Sequence, residues 1–123
     1  ICREVGHIID VLPTFGELAG ITPPDSFEKN LLLPIEGKSL VPILEGKHRK
    51  GHENLFWEYT GNRAIRTGDW KMVWVKRVQE WELYNLSTDQ TETLNMASEL
   101  PQKKEEMAAE WFDWARYTGL KTK

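Results

Sequence analysis

The sequence predicts an α+β fold, in which a helical segment precedes a small antiparallel sheet of three to four strands that is covered by a C-terminal helix. Near the start of the chain, apolar residues recur at the spacing of a helix. The middle of the chain alternates apolar and polar residues between turn signals, as strands do. A final run of helix formers places Met107, Trp111 and Trp114 on one face.

The first helix is expected to begin near Val11. Asp10 can cap it, and Pro13 fits only in a first turn, where its missing N–H costs nothing. Gly20 can end it in a left-handed conformation. The apolar stripe of this helix consists of Val11, Leu12, Phe15, Leu18 and Ala19.

The segment that follows is expected to be mostly irregular. Residues 22–33 contain Pro23 and Pro24 and have the composition of a loop. Ser39, followed by Pro42 three positions later and by Gly46, predicts a short helical turn. Residues 47–53 are rich in charge and are expected to form a solvated connector.

Three or four strands are expected in the next part of the chain, from the segments 54–59, 63–66, 70–76 and 81–85. Turn signals at Gly61-Asn62 and at residues 67–69 separate the first three strands. Such a meander needs cover on one face. The final helix, residues 101–117, supplies that cover with a stripe of Met107, Ala108, Trp111, Trp114 and Ala115.

Composition excludes several classes of function. The 16 basic and 19 acidic residues are scattered and give a net charge of −3, so the basic stripe of a nucleic-acid-binding protein is missing. No apolar run approaches the roughly 20 residues of a membrane-spanning helix, so no membrane partner is expected. Cys2 is the single cysteine and cannot form an internal disulfide.

The sequence contains no pattern that predicts a catalytic residue or a metal site. His48 and His52 lie four residues apart, a spacing that suits metal ligands on a helix, but Gly51 and the charged neighbours favour a loop. The carboxylates lack the spacing and apolar setting of a general acid and base. Phosphate-binding and nucleophilic serine motifs are also missing.

The Gly61-Asn62-Arg63 sequence allows two interpretations. Next to Trp57 and Tyr59, an amide and a guanidinium can bind an anion or a sugar ring. Alternatively, the three residues form a hairpin turn whose arginine pairs with a nearby carboxylate, and the sequence favours this second interpretation.

Several segments together resemble the end of bacterial arylsulfatases. Residues 34–40, together with residues 44–46, resemble the stretch G-x-S-L-x-P-L-L-x-G that follows the α/β domain of that family. The remaining segments occur in the same order as in the family, and the match covers essentially the whole chain. They are residues 6–15, 18–21, 55–58, 61–71 and 81–86, with Asp89 and Glu92.

The resemblance implies that residues 1–46 are the tail of the large α/β sulfatase domain with a connector, and that residues 47–123 are its small C-terminal subdomain. Sulfatases hydrolyse sulfate esters with a formylglycine, made in a C/S-x-P/A-x-R motif, and with a calcium ion. Cys2 is followed by Arg3, Glu4 and Val5 and departs from this motif at every position. No cofactor is therefore expected in this chain, which should be inactive alone.

The resemblance also implies partners and a location. The partners would be the missing large domain and the sulfate ester substrate, and the location periplasmic or secreted. Tyr59, Asn62 and Arg63 are the candidates for the rim of the substrate pocket. An independent carbohydrate-binding or interaction module is the alternative function. Because the chain starts at Ile1, we expect a fragment of a longer protein whose helical segment self-associates when isolated.

Overall fold

The computed structural model describes residues 2–121 and divides the chain into two compact units, Ile1–His52 and Glu53–Lys123. The division follows His52, whereas the sequence had suggested a junction after Gly46. The assignment of the first part to a larger α/β domain stays a prediction. No helix in residues 2–121 is long and apolar enough to cross a membrane.

Unit 1 (Ile1–His52) contains a 3₁₀ turn at Ile8–Asp10, helix α1 at Val11–Leu18 and a one-turn helix α2 at Val41–Leu44. Helix α1 ends as predicted, since Gly20 has a φ of 67° and the Ile21 N–H donates to the Gly16 carbonyl. The Ser39 hydroxyl accepts a hydrogen bond from the Val41 N–H and so stabilises the start of α2.

Asp10 does not cap α1, so the predicted role of its side chain is wrong. The carboxylate makes no capping bond to that helix. It accepts instead from the backbone N–H groups of His7 and Lys38, at 3.0 and 2.8 Å. The reason is that the carboxylate is buried among stronger donors from a distant segment, which are described below.

The region expected to be irregular contains a small hairpin. Strands β1 (Ser26–Phe27) and β2 (Asn30–Leu31) pair in antiparallel fashion. Their turn residues, Glu28 and Lys29, have φ values of 48° and 69°. Turns of this kind normally use Asn or Gly, so the sequence carries no signal for this one.

Unit 2 (Glu53–Lys123) is the predicted meander and its covering helix. The four strands are hydrogen-bonded in sequence order and all neighbours are antiparallel. Helix α3 spans Pro101–Tyr117. The strands are β3 (Asn54–Tyr59), β4 (Asn62–Thr67), β5 (Trp70–Val75) and β6 (Glu80–Asn85). The predicted α+β fold is confirmed.

The core of unit 2 lies between one face of this sheet and α3. Ile65, Met72 and Leu83 occupy neighbouring positions in the register and are fully buried. From the helix come Met107, Trp111 and Ala115. The prediction that the helix stripe is core is therefore confirmed.

Three further contacts fix the helix and the sheet edge. Trp114 stacks on Phe56, with ring centroids 5.1 Å apart and planes within 5°. The outer edge of β6 is covered at Leu83, whose N–H donates to the Asn95 side chain at 3.0 Å and whose carbonyl accepts from the Met96 N–H at 2.8 Å.

Candidate functional site

The β3–β4 hairpin carries the predicted rim residues. Its turn is Thr60-Gly61, one position earlier than the sequence suggested, and both residues have positive φ, 53° and 92°. Asn62 therefore belongs to β4, opposite Tyr59. Its amide donates to the Tyr59 carbonyl and accepts from the Lys76 N–H, both at 3.1 Å. The Asn62 side chain thus fixes the hairpin.

The structure separates the three rim candidates between two faces of the sheet. Alternation along the strands places Tyr59 and Asn62 on one face and Arg63 on the other, where α3 lies. Tyr59 is 77% exposed. The Arg63 guanidinium lies 4.9 Å from the centroid of the Trp111 ring and 5.4 Å from those of Trp74 and Phe112. Arg63 is thereby held in a defined orientation by cation–π contacts.

A groove of about 550 Å³ lies beside Arg63, on the α3 side of the sheet. Its volume is within the range of roughly 300–1,000 Å³ that is usual for small-molecule sites. Gly61 is favoured here, because its φ of 92° is strained for any residue with a Cβ, which would also lie 2.8 Å from Cδ of Lys76. The groove is lined by Glu58, Thr60, Gly61, Arg63, Trp74, Lys76, Gln79, Trp111, Leu120 and Lys121.

A second groove, of about 480 Å³, adjoins the first. The two share Trp74 and Gln79. The Trp74 ring meets Trp81 edge to face at a centroid distance of 5.5 Å. The second groove is lined by Trp74, Gln79, Glu80, Trp81, Asn95, Ala97, Ser98 and Lys104.

Unit 1 contains a buried ionic cluster of Asp10, Arg49 and His52. Asp10 is fully buried, and its two carboxylate oxygens accept from Arg49 Nη2 at 2.9 Å and contact His52 Nε2 at 2.7 Å. Arg49 also donates to the Val5 carbonyl at 2.9 Å. Burial opposes ionisation of Asp10, but hydrogen bonds from Lys38, Arg49, His52 and His7 outweigh it and hold the pKa of this carboxyl far below its ordinary value.

Sequence reasoning missed this cluster, because it expected a solvated connector at residues 47–53 and this is wrong for Arg49 and His52. The Arg49 and His52 side chains are only 5% and 6% exposed. The burial follows from the partner, Asp10, which neutralises the positive charge of this segment. No local pattern reveals a pairing across 39 residues.

The two histidines at metal-ligand spacing do not share a site. His48 Nδ1 lies 3.0 Å from the Glu4 carboxylate, and His52 contacts Asp10 instead. Within residues 2–121, no group of three or more His, Cys, Asp or Glu side chains is arranged to hold a metal ion. Cys2 is an exposed free thiol.

Comparisons with known proteins agree on one family. A family model described as the C-terminal part of N-sulphoglucosamine sulphohydrolase matches residues 2–113. A Schizosaccharomyces pombe protein, described as an uncharacterized sulfatase, is 34% identical over 129 residues, which covers 99% of this chain and 23% of the relative.

Two further matches are a bacterial enzyme and a protein of known structure. An N-acetylglucosamine-6-O-sulfatase of Bacteroides thetaiotaomicron is 29% identical over 114 residues, which covers 80% of this chain and 19% of the relative. The solved structure of a 2-O GAG sulfatase matches with a TM-score of 0.65 and 28% identity, and the match covers 93% of this chain and 26% of that one.

The chain thus spans about a quarter or less of the length of these relatives. The family match covers most of both units, which disfavours the alternative of an independent carbohydrate-binding or interaction module. This protein belongs to the sulfatases, as a C-terminal domain of the N-sulphoglucosamine sulphohydrolase family.

Proposed function

We propose that this chain completes a sulfatase that acts on sulfated sugars, by covering part of the catalytic domain with unit 1 and lending the β3–β4 hairpin to the rim of the substrate pocket. The observation that carries the proposal is the exposed apolar face of α1. Leu12, Phe15 and Leu18 are 63%, 65% and 62% exposed.

Side chains of this kind do not normally form a continuous exposed stripe on a finished protein surface. Their spacing of three residues puts them on one side of α1. Since the relatives are about four times longer than this chain, the missing catalytic domain is the occupant that we propose for this stripe.

The names of the relatives support the proposed substrate class. One is named for an N-acetylglucosamine 6-O-sulfate ester and another for a 2-O GAG sulfate. These names favour a sulfated amino sugar or glycosaminoglycan over an aryl sulfate, which the resemblance to arylsulfatases had suggested. An aryl sulfate ester is the second candidate substrate, and the test below includes it.

The rim role is proposed for Tyr59. Its ring is exposed at the end of β3, and the hairpin that carries it is fixed by both functional groups of Asn62. An exposed tyrosine offers a sugar both an apolar face and a hydroxyl group. Asn62 acts as the residue that positions this hairpin.

Neither formylglycine nor calcium fits the residues present in this chain. Cys2 is exposed and lacks the nucleophile motif, and the described residues include no acidic cluster suited to calcium. Both groups would belong to the catalytic domain, so we derive no reaction step from this chain.

The test uses the complete sulfatase that contains this chain, with a 6-O-sulfated N-acetylglucosamine and a chromogenic aryl sulfate as substrates. We expect higher kcat/KM for the sugar, and Tyr59→Ala should raise KM for the sugar about threefold to tenfold while kcat changes little. Tyr117→Ala, a similarly exposed tyrosine on α3, is the matched control and should have no effect. Turnover restricted to the aryl ester would refute the substrate class, and an unchanged KM in Tyr59→Ala would refute the rim role.

A further inference from the structure

We propose that the two adjoining grooves of unit 2 form one elongated binding site for a sulfated oligosaccharide, which we call the α3 cleft. The α3 cleft consists of the residues that line the two grooves described above. The proposal rests on the proposed function only in taking a sulfated sugar as the ligand class.

The two grooves are continuous. They meet at Trp74 and Gln79, which line both. Along α3 the cleft extends from Lys104 past Trp111 to Leu120, whose N–H donates to the Ala115 carbonyl at 2.9 Å. At 1.5 Å per residue, the helix from Lys104 to Ala115 is about 16 Å long. This length suits a chain of several sugars better than a single ring.

The charge of the cleft differs from that of the whole chain. Four cationic side chains and two carboxylates, Glu58 and Glu80, line the cleft of a chain whose net charge is −3. Cations therefore outnumber carboxylates by two in the cleft. Local positive charge on an acidic protein favours anionic ligands. The cations are Arg63, Lys76, Lys104 and Lys121.

The walls of the cleft combine aromatic and cationic side chains. Trp74 lines both grooves, Arg63 lines the first and Lys104 lines the second. Indole rings provide an apolar surface on which sugar rings can pack, while guanidinium and ammonium groups bind sulfate oxygens. A ligand that alternates sugar rings with sulfate groups matches this combination.

Two residues of the first groove have a strained backbone. Thr60 and Gln79 have φ values of 53° and 59°, and both line the first groove. Each lies in a hairpin turn where Gly or Asn adopts this conformation at lower cost. Backbone strain of this kind clusters at active sites and ligand clamps.

The binding test is a titration of the full chain with a heparin-derived hexasaccharide, followed by tryptophan fluorescence. Saturable binding is expected, and Lys76→Gln and Lys104→Gln should each weaken it roughly threefold to tenfold. Lys103→Gln is the matched control, since Lys103 lies next in sequence but 5.0 Å above the Trp70 ring and lines neither groove. Far-ultraviolet circular dichroism of each variant checks that the fold is unchanged.

Three control ligands test whether binding requires the sugar chain, the sulfate groups or only negative charge. The desulfated hexasaccharide and inorganic sulfate are expected to bind at least tenfold more weakly than the sulfated chain. An oligonucleotide of equal charge should bind weakly and without sensitivity to Lys104→Gln. The proposal is overturned by absence of saturable binding, by equal loss in Lys103→Gln and Lys104→Gln, or by an oligonucleotide that binds as tightly with the same variant pattern.

The complete sulfatase distinguishes this proposal from the proposed function. There, Lys104→Gln, which lies away from the rim hairpin, should raise KM for a sulfated hexasaccharide and leave KM for a monosulfated monosaccharide unchanged. An enzyme that hydrolyses no sugar sulfate refutes the proposed substrate, yet the direct titration still decides whether the α3 cleft binds the oligosaccharide.

Discussion

Asp10 and Arg49, 39 residues apart in sequence, are joined inside unit 1 by a hydrogen bond of 2.9 Å between Oδ2 and Nη2. Asp10 begins the helix that carries the proposed docking stripe, and Arg49 belongs to the last residues of the unit. The guanidinium also binds the carbonyls of Val5, Lys38 and Ser39. One ion pair thereby ties four segments of unit 1 together.

We expect Asp10→Asn to destabilise unit 1 by roughly 3–5 kcal/mol, because the change leaves the buried Arg49 without its counter-charge. Urea denaturation measures the loss, and amide hydrogen exchange at Lys38, whose N–H donates to Asp10, localises it to unit 1. Asp25→Asn is the control, as Asp25 is exposed. Equal stability of Asp10→Asn and the parent would contradict the structural role of the cluster.

Stability of unit 1 should fall in acid. The pKa of Asp10 lies well below its ordinary value of 3.8, so at pH values near and below 3.8 the unfolded state binds a proton that the folded state does not. The contribution of Asp10 is thus complete above this range and decreases as the pH falls through it. Denaturation curves between pH 6 and pH 2.5 should show a steeper decline for the parent than for Asp10→Asn. Parallel declines would count against the shifted pKa.

Removal of Trp111 should cost roughly 3–5 kcal/mol of stability in unit 2, as for a large aromatic side chain taken out of a core. Its side chain is fully buried, and its Nε1–H donates to the Trp57 carbonyl at 3.1 Å. Trp114→Ala should also destabilise, through loss of the stacking on Phe56. Thermal melts of Trp111→Ala, Trp114→Ala and the exposed Tyr117→Ala compare the sites. Tyr117→Ala should melt like the parent. Melting of both tryptophan variants within a degree or two of the parent would refute this core.

The isolated chain should self-associate through the α1 stripe. Burying each of Leu12, Phe15 and Leu18 in a second copy contributes about 1.5–3 kcal/mol per side chain, and the catalytic domain that we propose as their natural cover is not part of this chain. Sedimentation velocity over a range of concentrations measures the association, and both Phe15→Glu and deletion of residues 1–21 should abolish it. A parent chain that stays monomeric at high concentration would rule out the prediction.

Sequence reasoning succeeded where local patterns determine structure. The alternation from Asn54 to Asn85 located all four strands, and the spacing of Met107, Trp111 and Ala115 identified the buried face of α3. Such patterns reflect which side of an element faces a core, so a single sequence suffices to find them.

It failed where structure depends on residues far apart or on strained turns. The Asp10 carboxylate, which the sequence predicted to cap a helix, is bound by the distant Arg49 and His52 instead. The Glu28-Lys29 turn lacks the residues that its conformation favours. The candidate site was likewise only partly predictable. The sequence identified Tyr59 and Arg63 as candidates, but whether they share a face of the sheet depends on the register of β3 and β4. The predicted turn was one residue out of place, so this register could not be read from the sequence.

The hydrogen bonds that the Leu83 backbone makes with Asn95 and Met96 have a consequence for misfolding. They occupy the middle of the outer edge of β6, where an incoming extended segment from another molecule would need free N–H and carbonyl groups. Sheet growth from this side is therefore blocked in the native state. Any fibre or strand-exchanged assembly that preserves unit 2 must start at β3, so charged substitutions that protect this chain from such growth belong on β3 and are superfluous on β6.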